Sequence, residues 1–385
     1  MAANRQKYML EFQRRLKDEK IDLAVIYDPD TLYYLCGFWG YLGMEFGRPT
    51  LLVVPASGSP TLITPGLESE MAAAMTWIGD IRQWTDGRDG QWRKPLDDLL
   101  LGHPRPAVIG LEFFKTHPTI RQYVKERLGQ NRPTDISQIL SEMRMVKSPE
   151  DIETLRCAGS VAVAMCAAAL DTIAIGVPEY EISLAAVTAG TRKATELLDH
   201  ENAPALFSPM IYNLQVLQSG PHLSMVHRRP TRRRIKHGDP VYMCFCPFTL
   251  YKQIKLGFDR QYFVGQISDR HAGIYETALK AQAAALETIR PGIPAEEVHL
   301  AALEVYQSAG FGICYRTGRG VGYSFLEQPE FKEGDKTPLQ AGMTFAVDGG
   351  ITIDGQFGAR VGDSIVVTEN GFEYLTPFPK KLQVL

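Results

Sequence analysis

Side chains able to do chemistry gather in the second half of this 385-residue chain: His227 precedes a basic run at residues 228–237, Asp259 precedes Arg260, and Asp348 precedes Gly349 and Gly350. One histidine and two carboxylates suffice for a definite kind of reaction. A planar amidinium or guanidinium resists attack because its charge is delocalised. Two carboxylates can hold such a cation while an imidazole that titrates near neutrality passes a proton from water to the leaving nitrogen. Each residue also has a plainer use: His227 as a solvated histidine, Asp259 as the ion-pair partner of Arg260, and Asp348 as a turn residue or the partner of Arg319.

Other signals point away from common chemistries. Cys244 and Cys246 lie two apart, on one face of a strand, but no nearby His or Cys completes a four-ligand metal site. The six cysteines, Cys36, Cys157, Cys166, Cys244, Cys246 and Cys314, sit thinly in apolar stretches without a C-x-x-C, which predicts reduced, buried thiols. Gly318-x-Gly320-x-Gly322 lacks the spacing of a dinucleotide fingerprint and reads as a tight turn. The run Arg228, Arg229, Arg232, Arg233, Arg234, Lys236 has no interleaved aromatics and reads as a solvated face.

The elements that must carry these residues follow from pattern and composition. At about 150 residues per domain the length predicts two or three domains, and 45% hydrophobic with 22% charged residues is an ordinary globular balance. The net charge of −3 supplies no field for nucleic acid or an anionic membrane, so neither is expected as a partner. The N-terminus lacks an apolar signal core and no stretch approaches the ~20 uncharged residues of a membrane span, which makes the cytoplasm the expected location. Tyr8, Phe12 and Leu16 recur at helical spacing, and short apolar runs at residues 21–27, 51–55, 60–63 and 107–111 read as strands. These define a smaller N-terminal α/β domain, residues 1–145. Ser148 as N-cap, Pro149 in the first turn and Asp151 three residues after the cap then open a helix, and with it a second domain, residues 146–385. Within that domain residues 167–186 and 283–302 are identical at twelve of twenty positions, at an offset of 116. Each copy ends one helix at a glycine (Gly176, Gly292) and starts another at a proline (Pro178, Pro294). Two copies predict a pseudo-twofold domain with a site between its halves.

The repeat, with His227 to Asp239, Asp259-Arg260 to Gly265, Arg316 to Gly322, Gly342 to Asp348 and Gly358 to Asp363, resembles the creatinase / aminopeptidase P / methionine aminopeptidase superfamily. The resemblance implies an α+β fold of the pita-bread type. Peptidases of that superfamily hold two metal ions with two Asp, one His and two Glu. Those positions fall here on Cys244, Gly257, Arg319, Asp348 and Gly362, which predicts no metal and no other cofactor. What remains resembles creatinase, the metal-free branch. By that match His227 is the proton shuttle, and Asp259 and Asp348, each one methylene shorter than the creatinase carboxylates, clamp the cation. Arg319, Arg260, Tyr323, Tyr242, Arg360 and Cys244 complete the implied substrate site. Glu45-Phe46-Gly47-Arg48 resembles a creatinase segment whose Arg reaches the partner subunit's substrate, so the match implies a homodimer with Arg48 acting in trans.

The expected function is a metal-independent, creatinase-like hydrolase of a C–N bond in a small guanidino or amidino carboxylic acid. An ectoine-type ring hydrolase, an Xaa-Pro peptidase-like or lyase activity, and a catalytically dead binding module are the alternatives.

Overall fold

A computed structural model describes residues 2–87, 90–102, 108–129, 132–211, 216–245, 251–312 and 316–385. They form two compact units, Met1–Arg144 and Met145–Leu385.

The first unit opens with the helix Ala2–Asp18, whose Met9, Phe12 and Leu16 are buried on one face. Its six-stranded sheet comprises β1 (Leu23–Ile26), β2 (Leu51–Pro55), β3 (Thr61–Pro65), β4 (Asp80–Trp84), β5 (Ile109–Leu111) and β6 (Thr134–Asp135), in the order β4-β3-β2-β1-β5-β6. Four of these strands coincide with the apolar runs of the sequence. β4 does not, because it is an edge strand with a largely solvent-facing sequence, Asp-Ile-Arg-Gln-Trp.

The second unit is built from two helix pairs and one large sheet. The helix Pro149–Thr172 starts at Ser148 with a full capping box to Asp151 and packs along Glu179–His200; Asp269–Thr288 packs in the same way along Ala295–Ser308. The repeat therefore marks the two helix pairs. Gly176 and Gly292 both take φ +86°, in the left-handed region that glycine adopts without strain. The segments after them are pinned alike, Glu179 N–H donating to the Arg233 carbonyl and Ala295 N–H to the Thr337 carbonyl. Pro149–Thr172 is, by length and composition, apolar enough to cross a membrane, a property the sequence reading did not assign to any stretch. Leu155, Ala158, Val161, Ala162, Met165 and Ala169 use that apolarity to pack inside the unit.

The sheet holds β7 (Val216–Ser219), β8 (Pro240–Cys244), β9 (Asp259–Phe263), β10 (Gly318–Gly320), β11 (Glu327–Phe331), β12 (Thr344–Ile353), β13 (Phe357–Thr368) and β14 (Gly371–Tyr374). Its order is β11-β10-β12-β13-β9-β8-β7, with β14 on β13 and every neighbour antiparallel. One face of the sheet packs on the helices through an apolar core that includes Tyr275, Ala281, Phe331, Phe345 and Val347. A buried ion pair between Lys147 and Glu327, 2.8 Å apart, ties the start of this unit to β11.

Candidate active site

Register decides which side chains meet. Cys244 pairs with Asp259 across β8 and β9, Asp259 with Gly362 across β9 and β13, and Gly362 with Asp348 across β13 and β12. Paired residues share a face of the sheet, so the side chains of Cys244, Asp259 and Asp348 point the same way and their chain neighbours point the other. On that face lies a cavity of about 450 Å³, lined by these residues and by Tyr242, His227, Arg316, Arg319, Arg360, Phe311 and Phe325, among others. Its size lies within the usual range of small-molecule sites.

Asp259 is the most unusual group in this cavity. The residue is 5% exposed and one carboxyl oxygen, Oδ1, has no hydrogen-bond partner. Burial, followed by the nearby charge of Asp348, raises its pKa to about 7, against the pull of Arg319 and of a hydrogen bond from the Tyr242 hydroxyl. A carboxyl poised near neutrality can both accept and return a proton.

Arg319 is held on three sides. It forms an ion pair with Asp348, its Nε–H donates to the Phe325 carbonyl at 3.1 Å, and its guanidinium lies 4.4 Å from the centre of the Phe325 ring. The two glycines that replace expected ligands make room for this arrangement. A Cβ at Gly257 would stand 3.2 Å from Arg319 Nη2, and a Cβ at Gly362 only 2.7 Å from Asp259 Oδ2. The space that ligand side chains would enter is thus filled by a guanidinium and a carboxyl group, not left as an enlarged pocket.

These residues do not fit a metal centre. No group of three or more His, Cys, Asp and Glu able to hold an ion occurs among the described residues, and the one surviving acidic ligand position, Asp348, is paired with a permanent cation.

Two expected site residues, Arg260 and Tyr323, do not line this cavity. Arg260 points to the opposite sheet face, where it pairs with Asp363 at 2.6 Å and donates to the carbonyls of Gly362, Phe378 and Pro379, so it is a buried structural arginine. This also corrects the reading of Asp259 as its ion-pair partner, since strand alternation separates neighbours. The Tyr323 hydroxyl is committed to Asp151 Oδ1 at 2.6 Å and does not line the cavity. Cys244 lines it but is disulfide-bonded, and Cys157 is only partly buried, so the expectation of uniformly reduced, buried thiols fails for both. Cys246 and Cys314 lie outside the described residues. Arg48 forms an ion pair with Asp86 within the first unit.

His227 is an exposed residue at the cavity wall, in an irregular turn. The basic run after it is not a solvated face throughout. Arg228 grips the buried Glu179 through Nη2 at 2.6 Å and Nη1 at 2.9 Å, and Arg233 holds Asp239 at 2.6 Å, which fixes the turn carrying His227. Arg360 lies over the Tyr242 ring and bonds Thr352, while Gln261 braces its backbone N–H; Gln261 and Thr352 were not singled out from the sequence, where nothing distinguishes them.

Two family models account for nearly the whole chain. One describes the Creatinase/Prolidase N-terminal domain and matches residues 9–146; the other describes metallopeptidase family M24 and matches residues 153–369, more than half of the chain. The chain belongs to family M24. Its two-domain, pita-bread α+β architecture follows from that membership. Among curated M24-like relatives, an agropine synthesis cyclase of Rhizobium rhizogenes is 30% identical over 382 residues, covering 95% of this chain and 94% of its own. An Xaa-Pro dipeptidase of Lactobacillus helveticus is 29% identical over 378 residues, covering 97% of this chain and 98% of its own. Among solved structures, dipeptidase PepE from Mycobacterium ulcerans has a TM-score of 0.83 at 27% identity, over 100% of this chain and 98% of that one. The relatives thus include proteins named as dipeptidases and one named as a cyclase.

Proposed function

We propose that this M24 chain is a metal-independent hydrolase of an amide C–N bond in a small, carboxylate-bearing substrate of dipeptide size. The observation that carries the reading is Asp259, a buried carboxyl with an unpartnered oxygen and a pKa near 7 in a cavity of substrate size.

In its ionised form Asp259 takes a proton from water as the water oxygen bonds to the amide carbon, and the carbonyl electron pair moves onto oxygen. When that pair returns, the C–N bond breaks and Asp259 gives its proton to the departing nitrogen, leaving a carboxylic acid and an amine. Arg360 suits a substrate carboxylate. His227 stands exposed at the cavity wall, outside this proton path.

Electrostatics favour an amide over the guanidino acid expected from the sequence. Asp348 is already paired with Arg319 and Arg316 with Glu330, while Arg360 is a further cation acting on Asp259, a poor setting for a cationic substrate. The dipeptidase relatives support the same choice. The cyclase relative favours a second reading, in which a group within the substrate replaces water as nucleophile.

A proton NMR time course against dipeptides including Xaa-Pro, N-acyl amino acids, creatine and ectoine tests this. Release of a free amine from an amide is expected; cleavage of creatine or ectoine alone would overturn the amide reading, and a dehydrated ring product would support the cyclase.

A further inference from the structure

We infer that Arg319 is the electrophile of this site: a permanent cation that takes up the negative charge developing on the substrate's carbonyl oxygen. The inference rests on the amide reading above and goes beyond it by assigning the group that makes the carbonyl attackable.

Water activated by a carboxylate is a weak nucleophile toward an amide unless a fixed donor meets the oxygen as it becomes an anion. The cavity-lining donors differ in what holds them in place. The Tyr242 hydroxyl serves Asp259, Arg316 pairs with Glu330 at 2.9 Å, Arg360 bonds Thr352 and lies near the Leu223 carbonyl, and His227 is exposed. Arg319 is the donor whose position is fixed by an ion pair, a carbonyl and an aromatic ring together, and it is only 4% exposed. A pre-oriented charge of this kind need not reorganise during the reaction.

Its placement also depends on an interlocked set of small residues. Gly257 lacks the side chain that would crowd Nη2, and Gly362 lacks the one that would displace Asp259. Base and electrophile thus occupy adjoining spaces, and Arg319 is among the charges that Asp259 feels most strongly. With the guanidinium bonded to the oxyanion and Asp259 holding the water proton, the intermediate carries its charge opposite a cation. Collapse then returns the electron pair to carbon and the proton to nitrogen, so no oxidant, metal or further reactant is needed.

Arg319→Met, Arg319→Lys and Arg319→Ala test the assignment on an amide that the wild type cleaves. Arg319→Met is expected to lower kcat by about 10²–10³-fold with KM changed only a few-fold. Arg319→Lys keeps the charge beside Asp348 and should fold, yet recover only part of the rate because it lacks the planar fork. The acidic limb of the pH–rate profile should move up in Arg319→Met, since a cation near Asp259 is gone. Added guanidinium ion should restore part of the turnover of Arg319→Ala, which a merely structural role would not produce. If Arg319→Met folds and retains kcat within tenfold of wild type, or Arg319→Lys folds and matches the wild-type rate, while Asp259→Asn is inactive, the assignment of Arg319 is wrong and the amide reading stands. If the wild type cleaves no amide, both fail.

Discussion

Asp259→Asn is expected to lower kcat by about 10³-fold or more with the fold retained, because the substitution is isosteric and removes only the proton-carrying oxygen. Asp259 is buried, its Oδ1 has no partner, and Tyr242 can still donate to an amide oxygen. In the wild type, kcat/KM should rise with pH along a limb near 7, the pKa to which burial and Asp348 push this carboxyl; that limb should vanish in the variant. Stability should respond with the opposite slope. A carboxyl whose folded pKa lies above its unfolded value binds more protons in the native state, so its stabilising contribution is full below the unfolded pKa and is lost as pH rises to about 7. Asp259→Asn should therefore gain stability over wild type at pH 8 relative to pH 4. Glu112, also raised to about 7, is present in both proteins and cancels in the comparison. Thermal melts at the two pH values check the sign, and an equal effect at both would contradict the raised pKa.

Gly362→Glu should destroy activity and destabilise the protein without creating metal dependence. The new Cβ would lie 2.7 Å from Asp259 Oδ2 and 3.0 Å from Asp348 Cβ, in a region where β9, β13 and β12 are in fixed register. Overpacking of this kind costs about 1–3 kcal/mol, and a third carboxylate beside two others adds repulsion. Calorimetry should show a lower Tm, and turnover in added Mn²⁺ or Zn²⁺ should stay at background. Metal-dependent activity in this variant would show that Arg319 yields its position to an ion more readily than its packing implies.

Much of this arrangement is legible in the sequence, for identifiable reasons. The repeat reports the helix pairs because glycine and proline fix where helices end and start, and Ser148, Pro149 and Asp151 mark a helix start through local backbone chemistry alone. Asp259 and Asp348 stand out because each sits in a segment that carries the resemblance. The opposite orientations of Asp259 and Arg260 were also readable from the two-residue period of a strand, whereas the motif match alone groups them. What stays hidden is contact across distance. Tyr323 finds Asp151, Arg228 finds Glu179, and Lys147 finds Glu327 only after the sheet and helices have assembled. The meaning of Gly257 and Gly362 is hidden for the same reason: an absent side chain acquires a role only when the neighbour that fills its space is known.

We propose that this member of a metallopeptidase family works by Asp259 and Arg319 without a metal ion. The most direct test is turnover of a cleavable dipeptide by wild-type protein after exhaustive chelation, with residual metal measured on the same sample. Undiminished turnover at metal levels far below one ion per chain is the predicted result. Activity that disappears on chelation and returns in proportion to added metal would contradict it.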